Sequence, residues 1–178
     1  REVVTEASGV GTRMHKYLED YVESGNWGKP GSNPYAKQAH NMAKQIKDNV
    51  MDHVEIWGSE VQLYHPKIYA GTTDLVGMYK GQPAIMDFKQ TNKPKKEEWI
   101  EDYYYQIAAY SLAHKKQYGD IKTGLIVICT PDLIFQRFLM TEEKLAEYEE
   151  KWLERVDRYH RQFNTSRSSS EASEQPTG

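Results

Sequence analysis

Two apolar-rich runs joined through Gly and Pro, residues 72–91, constrain this chain more than any other stretch. The first reads Thr72-Thr73-Asp74-Leu75-Val76-Gly77-Met78-Tyr79 and the second Ala84-Ile85-Met86-Asp87-Phe88-Lys89-Gln90-Thr91, with Lys80-Gly81-Gln82-Pro83 between them. Short β-prone runs around such residues predict a β-hairpin. A two-residue loop at Lys80 and Gly81 sets Asp74 opposite Asp87, whereas a four-residue loop sets Asp74 opposite Lys89. Because side chains alternate with period two, either register leaves Asp74, Asp87 and Lys89 on one face of the sheet.

Facing positions on paired strands lie only about 4.5–5.5 Å apart, so two acids there repel. A divalent cation removes that conflict: converging carboxylate oxygens are what Mg²⁺ uses while it keeps several waters and accepts phosphate oxygens. The Lys89 ammonium, one step along the same face, is then placed to orient a water or meet a phosphate. Each Asp alone has a plainer reading, as a turn residue or an exposed strand position. The three together favour a site.

At 178 residues and 20.7 kDa the chain suits one domain with a real core. A net charge of −3 and a pI near 6.1 argue against a generally basic nucleic-acid coat, but leave room for a local basic groove. The single cysteine, Cys129, excludes an internal disulfide framework and a four-cysteine zinc or iron–sulfur site, and its apolar surroundings mark it as a core residue. The longest unbroken apolar run, residues 125–129, is far short of the roughly 20 residues a helix needs to cross a bilayer, so no membrane association is expected. The chain opens at Arg1 rather than Met, which leaves room for a targeting segment upstream.

Helical spacing at Met14, Tyr17, Leu18, Tyr21 and Val22 predicts a helix over 10–23, with His15 beside the apolar stripe. Residues 25–35 form a Gly-, Pro- and Asn-rich loop, and a second helix follows over 36–54. Residues 55–69 read as extended. Two readings stay open for Glu60 there: a third carboxylate near the hairpin face, or an exposed strand position. After the hairpin, Asn92-Lys93-Pro94-Lys95-Lys96 is either a solvated surface loop or, next to a metal, a grip on a phosphate backbone. A helix is predicted over 97–117, with Gln106 and Tyr110 stacked four apart. Strands follow over 122–129 and 134–140, then a helix from 141 to about 163. The last residues, 164–178, have almost no apolar side chains and read as a disordered tail after a domain spanning 1–163.

Taken in order, Gly11-Thr12-Arg13-Met14-His15-Lys16-Tyr17-Leu18-Glu19, Glu60, Gly71-Thr72-Thr73-Asp74, Asp87-Phe88-Lys89 and Gln106-Ile107-Ala108-Ala109-Tyr110 resemble the RecB-like branch of the PD-(D/E)xK nuclease superfamily. Within it, the Lys93-Pro94-Lys95 loop, Gly124-Leu125-Ile126-Val127 and the Trp152-containing helix resemble the mitochondrial genome maintenance exonucleases with their bacterial and phage relatives. Thr73 stands where the superfamily's name has Pro, and Gln90 follows Lys89 where relatives often have Thr.

The resemblance implies an α/β restriction-endonuclease-like fold, a central mixed β-sheet flanked by helices. It implies that His15, Asp74, Asp87 and the backbone carbonyl of Phe88 hold Mg²⁺ or Mn²⁺, that Lys89 is catalytic with Glu60 in support, and that Gln106 and Tyr110 orient water, metal shell or scissile phosphate. Without four cysteines, no iron–sulfur cluster is expected. The expected function is metal-dependent DNA hydrolysis that trims single-stranded ends in replication, recombination or repair, with Arg13, Tyr17, Lys93, Lys95, Lys96 and Tyr110 on the strand and a recombination or replication protein as partner. The setting is then bacterial or phage-infected cytoplasm, or the mitochondrial matrix if a targeting segment was removed. Two alternatives stay open: a structure-specific endonuclease of the same fold, and a non-catalytic DNA-binding subunit of a recombination complex.

Overall fold

The hairpin closes in the shorter of its two registers. In the computed structural model, which describes residues 9–65 and 69–173, β2 (Tyr69–Tyr79) pairs antiparallel with β3 (Gln82–Gln90), and Tyr79 faces Gln82. Lys80 and Gly81 both take positive φ, 48° and 78°, the geometry of a two-residue turn whose twist matches the strands it joins. Pairing stops at Leu75–Met86, one step before the two acids. From there β2 stays with β1 (Glu55–His65), while β3 runs on beside β4 (Thr123–Cys129) as far as Gln90.

That divergence is set by topology. The five strands lie in sequence order, ending with β5 (Phe135–Met140), and every pairing is antiparallel except β3 with β4. Parallel neighbours need a crossover, here supplied by the helix α3 (Glu101–Gln117). A helix beneath β4 explains why β4 is a continuous apolar run: it is covered on both faces. Gly124 allows the close approach, since a Cβ there would lie 2.5 Å from Ile107 Cγ2.

The two faces of the sheet bury separate cores. Leu75, Met86, Phe88, Leu125 and Val127 pack against α1 (Val10–Ser24) and α2 (Pro34–Asn49). Val76, Ile85, Ile126 and Ile128 pack against α3 and the helix α4 (Glu142–Ser173). The result is the expected mixed α/β sheet flanked by helices. Asn33 caps α2, its side chain accepting the Tyr35 N–H at 2.7 Å with Pro34 at the first helical position.

Three boundaries differ from expectation. The helix expected over 36–54 stops at Asn49, followed by a 3₁₀ turn at Met51–His53. The extended stretch expected over 55–69 is β1, which ends at His65; residues 66–68 lie outside the described residues, and Tyr69 already opens β2. The last helix, expected to end near 163, continues to Ser173: no Gly or Pro occurs from 142 to 173, so nothing in the backbone chemistry stops it once started. Residues 174–178 lie outside the described residues. Among the described residues no helix is long and apolar enough to cross a membrane.

Candidate active site

Where β2 and β3 part, a backbone donor loses its strand partner, and Asp74 replaces it: Phe88 N–H donates to Asp74 Oδ2 at 2.7 Å. The Phe88 carbonyl is met by His15 of α1, with Nε2 at 2.8 Å from that oxygen and 3.3 Å from Asp74 Oδ2. The other ring nitrogen, Nδ1, is 2.8 Å from Gly11 O, one helical turn back. Carbonyl oxygens only accept, so a ring in contact with one at each nitrogen donates from both and is imidazolium. Burial by itself would lower its pKa, but the Asp74 carboxylate and the two carbonyls outweigh that and raise it to about 9.

Asp87, almost fully buried, lies beside Asp74 with Lys89 Nζ 2.9 Å from its Oδ2. Burial pushes the Asp87 carboxyl up to about 7; the Asp74 charge adds to this, and Lys89 only partly offsets it. Asp74 moves the other way: burial opposes ionisation, but hydrogen bonds from His15, Asp87 and the Phe88 N–H hold it below the usual carboxylate range. The two acids are thus pushed apart, and Asp87 is the one that binds a proton more readily, as happens when two acids are forced together. Asp87 Oδ2 is buried and, apart from the Lys89 ion pair, has no hydrogen-bond partner.

Lys89 is held from α3. Its ammonium donates to Gln106 Oε1 at 2.8 Å, and Gln106 Nε2 donates to Tyr110 Oη at 3.0 Å, so the i, i+4 pair aims the lysine. The structure thus brings His15, Asp74, Asp87, the Phe88 carbonyl, Lys89, Gln106 and Tyr110 to one cleft of about 380 Å³. Glu60 stands at its margin, sharing a small recess with His15, Glu19 and Asp74. It takes φ 49°, uncommon outside glycine, and burial with the Asp74 charge raises its carboxyl to about 6. Among the described residues, no three His, Cys, Asp or Glu side chains stand in metal-holding geometry as placed.

The expected strand contacts are spread more widely. Lys93 and Lys95 line an adjoining cleft of about 400 Å³, and the Lys96 ammonium lies 5.2 Å from the Trp99 ring centroid. Tyr17 is engaged elsewhere: its hydroxyl accepts the Gly31 N–H and its ring meets His40 and Trp27, pinning the loop after α1. Arg13 is half-buried with Nη1 lacking a hydrogen-bond partner, and the Tyr110 ring is buried. Sequence reasoning missed Tyr103, whose ring centroid is 5.0 Å from Lys89 Nζ, and Glu19. The available signal was spacing: Tyr103 is three residues before Gln106, and Glu19 is four after His15.

No family model matches the chain. It is 27% identical over 161 residues to mitochondrial genome maintenance exonuclease 1 of Xenopus tropicalis and 29% identical over 160 residues to that of Mus musculus, covering 84% of this chain in both comparisons. The chain spans less than half of those relatives, 44% and 45%. A crystal structure of a candidate exonuclease from Eubacterium rectale shares the fold, with a TM-score of 0.56 at 17% identity, covering 86% of this chain and 66% of that one. The resemblance carried by the motifs is borne out: this chain is related to nucleases of the mitochondrial genome maintenance exonuclease kind.

Proposed function

We propose that the chain carries the catalytic centre of a metal-dependent DNA exonuclease that trims single-stranded ends, with His15, Asp74, Asp87 and the Phe88 carbonyl as the metal-holding set. The observation that carries this reading is the convergence of two acids and an ammonium at the point where the sheet splits: Asp74 lies beside the buried Asp87, and Lys89 Nζ is 2.9 Å from Asp87 Oδ2. Two acids held together away from water are costly unless they serve a ligand. The donor set fits: oxygen ligands suit Mg²⁺, one imidazole among them is compatible with Mn²⁺, and the Gly11 carbonyl fixes the His15 ring from behind.

A divalent cation bound there would supply Lewis-acid polarisation of the phosphoryl oxygen and activation of a water. Lys89, aimed by Gln106 and Tyr110, would orient the attacking water and offset charge building on the phosphate. Lys93, Lys95 and Lys96 hold the backbone downstream by phosphate contacts. The relatives are named for mitochondria; a mitochondrial setting for this chain, and a replication or recombination partner, belong to the same proposal.

The test is digestion of end-labelled linear and circular single-stranded DNA with Mg²⁺ or Mn²⁺ and with EDTA. Linear DNA is expected to be shortened from its ends, circular DNA spared, and EDTA to stop the reaction. Lys89→Ala is expected to lose roughly 10²- to 10⁴-fold in kcat/KM while its Tm stays within a few degrees of wild type. Cleavage of circles would move the reading to an endonuclease, and undiminished cleavage by Lys89→Ala would remove the mechanism.

A further inference from the structure

A second cleft of about 400 Å³ opens against Lys89 and Gln106, which also line the cleft that holds the acids, so the two adjoin. Its walls come from α3 and α4 and are aromatic: Tyr103, Tyr105 and Trp152. Two cations line it. The Lys89 ammonium lies 5.0 Å from the Tyr103 ring centroid, and the exposed Arg155 guanidinium packs 3.7 Å from the centroid of Tyr105. Among the described residues no carboxylate pairs with Arg155, so its charge is available to a ligand.

Aromatic walls alone would suit any apolar molecule, and cations alone any anion. Both in one cleft of this size match a flat π-system that carries a phosphate. Asp102, exposed in the same lining, adds an acceptor for an amino or imino hydrogen. We propose that this cleft takes the base of the nucleotide beside the scissile phosphate, stacked on Tyr103 and Trp152, with Arg155 on its phosphate. The inference rests on the nuclease reading of the adjoining site and gives it a source of strand selectivity: a base enters the cleft only when it is out of a duplex stack, so paired ends cost the unstacking.

The experiment uses single-stranded oligonucleotides carrying one 2-aminopurine, or one abasic residue, at each of the first four nucleotides from the cleaved end. With EDTA, binding to the wild-type chain is expected to quench 2-aminopurine at one of these positions, and the abasic residue there to weaken binding about 5- to 150-fold, the range of one base stacked on an aromatic side chain. Tyr103→Phe should keep both effects. Tyr103→Ala should lose the quench, and Arg155→Ala, an exposed position that leaves the core intact, should weaken binding of intact strands at low salt.

No quench at any position, or an abasic penalty equal in wild type and Tyr103→Ala, would overturn the proposal. The two readings fail separately. A wild-type chain that quenches at one position but cleaves nothing keeps the base cleft and loses the nuclease; one that cleaves with no base dependence does the reverse.

Discussion

Asp74, on β2, ties that strand to β3 and α1: it accepts from the Phe88 N–H, lies beside Asp87 and faces the His15 ring. Three groups around it bind protons more tightly folded than unfolded. Asp87 rises from an ordinary 3.8 to about 7, Glu60 from 4.5 to about 6, and His15 from 6.5 to about 9. Between those limits the folded chain holds the extra protons, so stability falls as pH rises, first through Glu60 and Asp87 and then through His15. Asp74, with a lowered pKa, acts oppositely and matters only in acid, where its stabilisation is lost as pH falls. With EDTA present, Tm is therefore expected to decline from pH 5 to pH 9, and Asp87→Asn to flatten the lower half of that decline. Calorimetric Tm against pH measures both. A Tm that rises across this range would contradict the assigned protonation.

At the scale of elements, α3 supplies the Gln106–Tyr110 pair that aims Lys89 and also fills the core under the sheet. Ile107, fully buried, lies against Gly124 of β4, and the next residue back is Gln106, which holds Lys89. Packing and positioning are thus coupled along one turn of helix. Gly124→Val forces new methyl groups into contact with Ile107, and overpacking of this kind costs about 1–3 kcal/mol. The helix is expected to relieve it by moving outward, which lengthens the Gln106–Lys89 hydrogen bond. We expect Tm to fall and kcat/KM to fall further than the folded fraction explains, read from thermal unfolding and single-turnover cleavage on the same sample. A variant destabilised without that extra loss of activity would show that the helix does not transmit the strain.

At the scale of the molecule, the cleft lies where the parallel pair β3–β4 extends past the end of the β2–β3 pairing, the kind of crevice beyond strand ends in which α/β sheets bind ligands. Net charge is −3, yet the loop leaving β3 places Lys93 and Lys95 in an adjoining cleft, with Lys96 next in the chain over Trp99. Attraction for a polyanion is therefore local. Each phosphate neutralised on a single strand contributes about 0.7 to the slope of log K against log salt, so removing all three lysines should flatten that slope by about 2. Fluorescence anisotropy with a labelled single strand at several salt concentrations reads it. An unchanged slope would place the strand elsewhere on the surface.

Period-two alternation was enough to put Asp74, Asp87 and Lys89 on one face, because side-chain direction along a strand is a local property. The Lys80–Gly81 turn then chose the register. Helical spacing likewise paired Gln106 with Tyr110, and the α/β element order was legible for the same reason. What no local pattern encodes is where two strands stop pairing, or which distant side chain fills the gap. That His15 reaches across 73 residues to the Phe88 carbonyl, that Gln106 holds Lys89, and that Tyr103 meets Lys89 in a cleft also lined by Arg155 all depend on how the helices dock on the sheet. Tyr17 shows the converse. Its residue type and place in α1 marked it for a nucleic-acid strand, but docking turned it against Trp27 and His40, because burial of a large ring is decided by whatever surface the fold brings next to it.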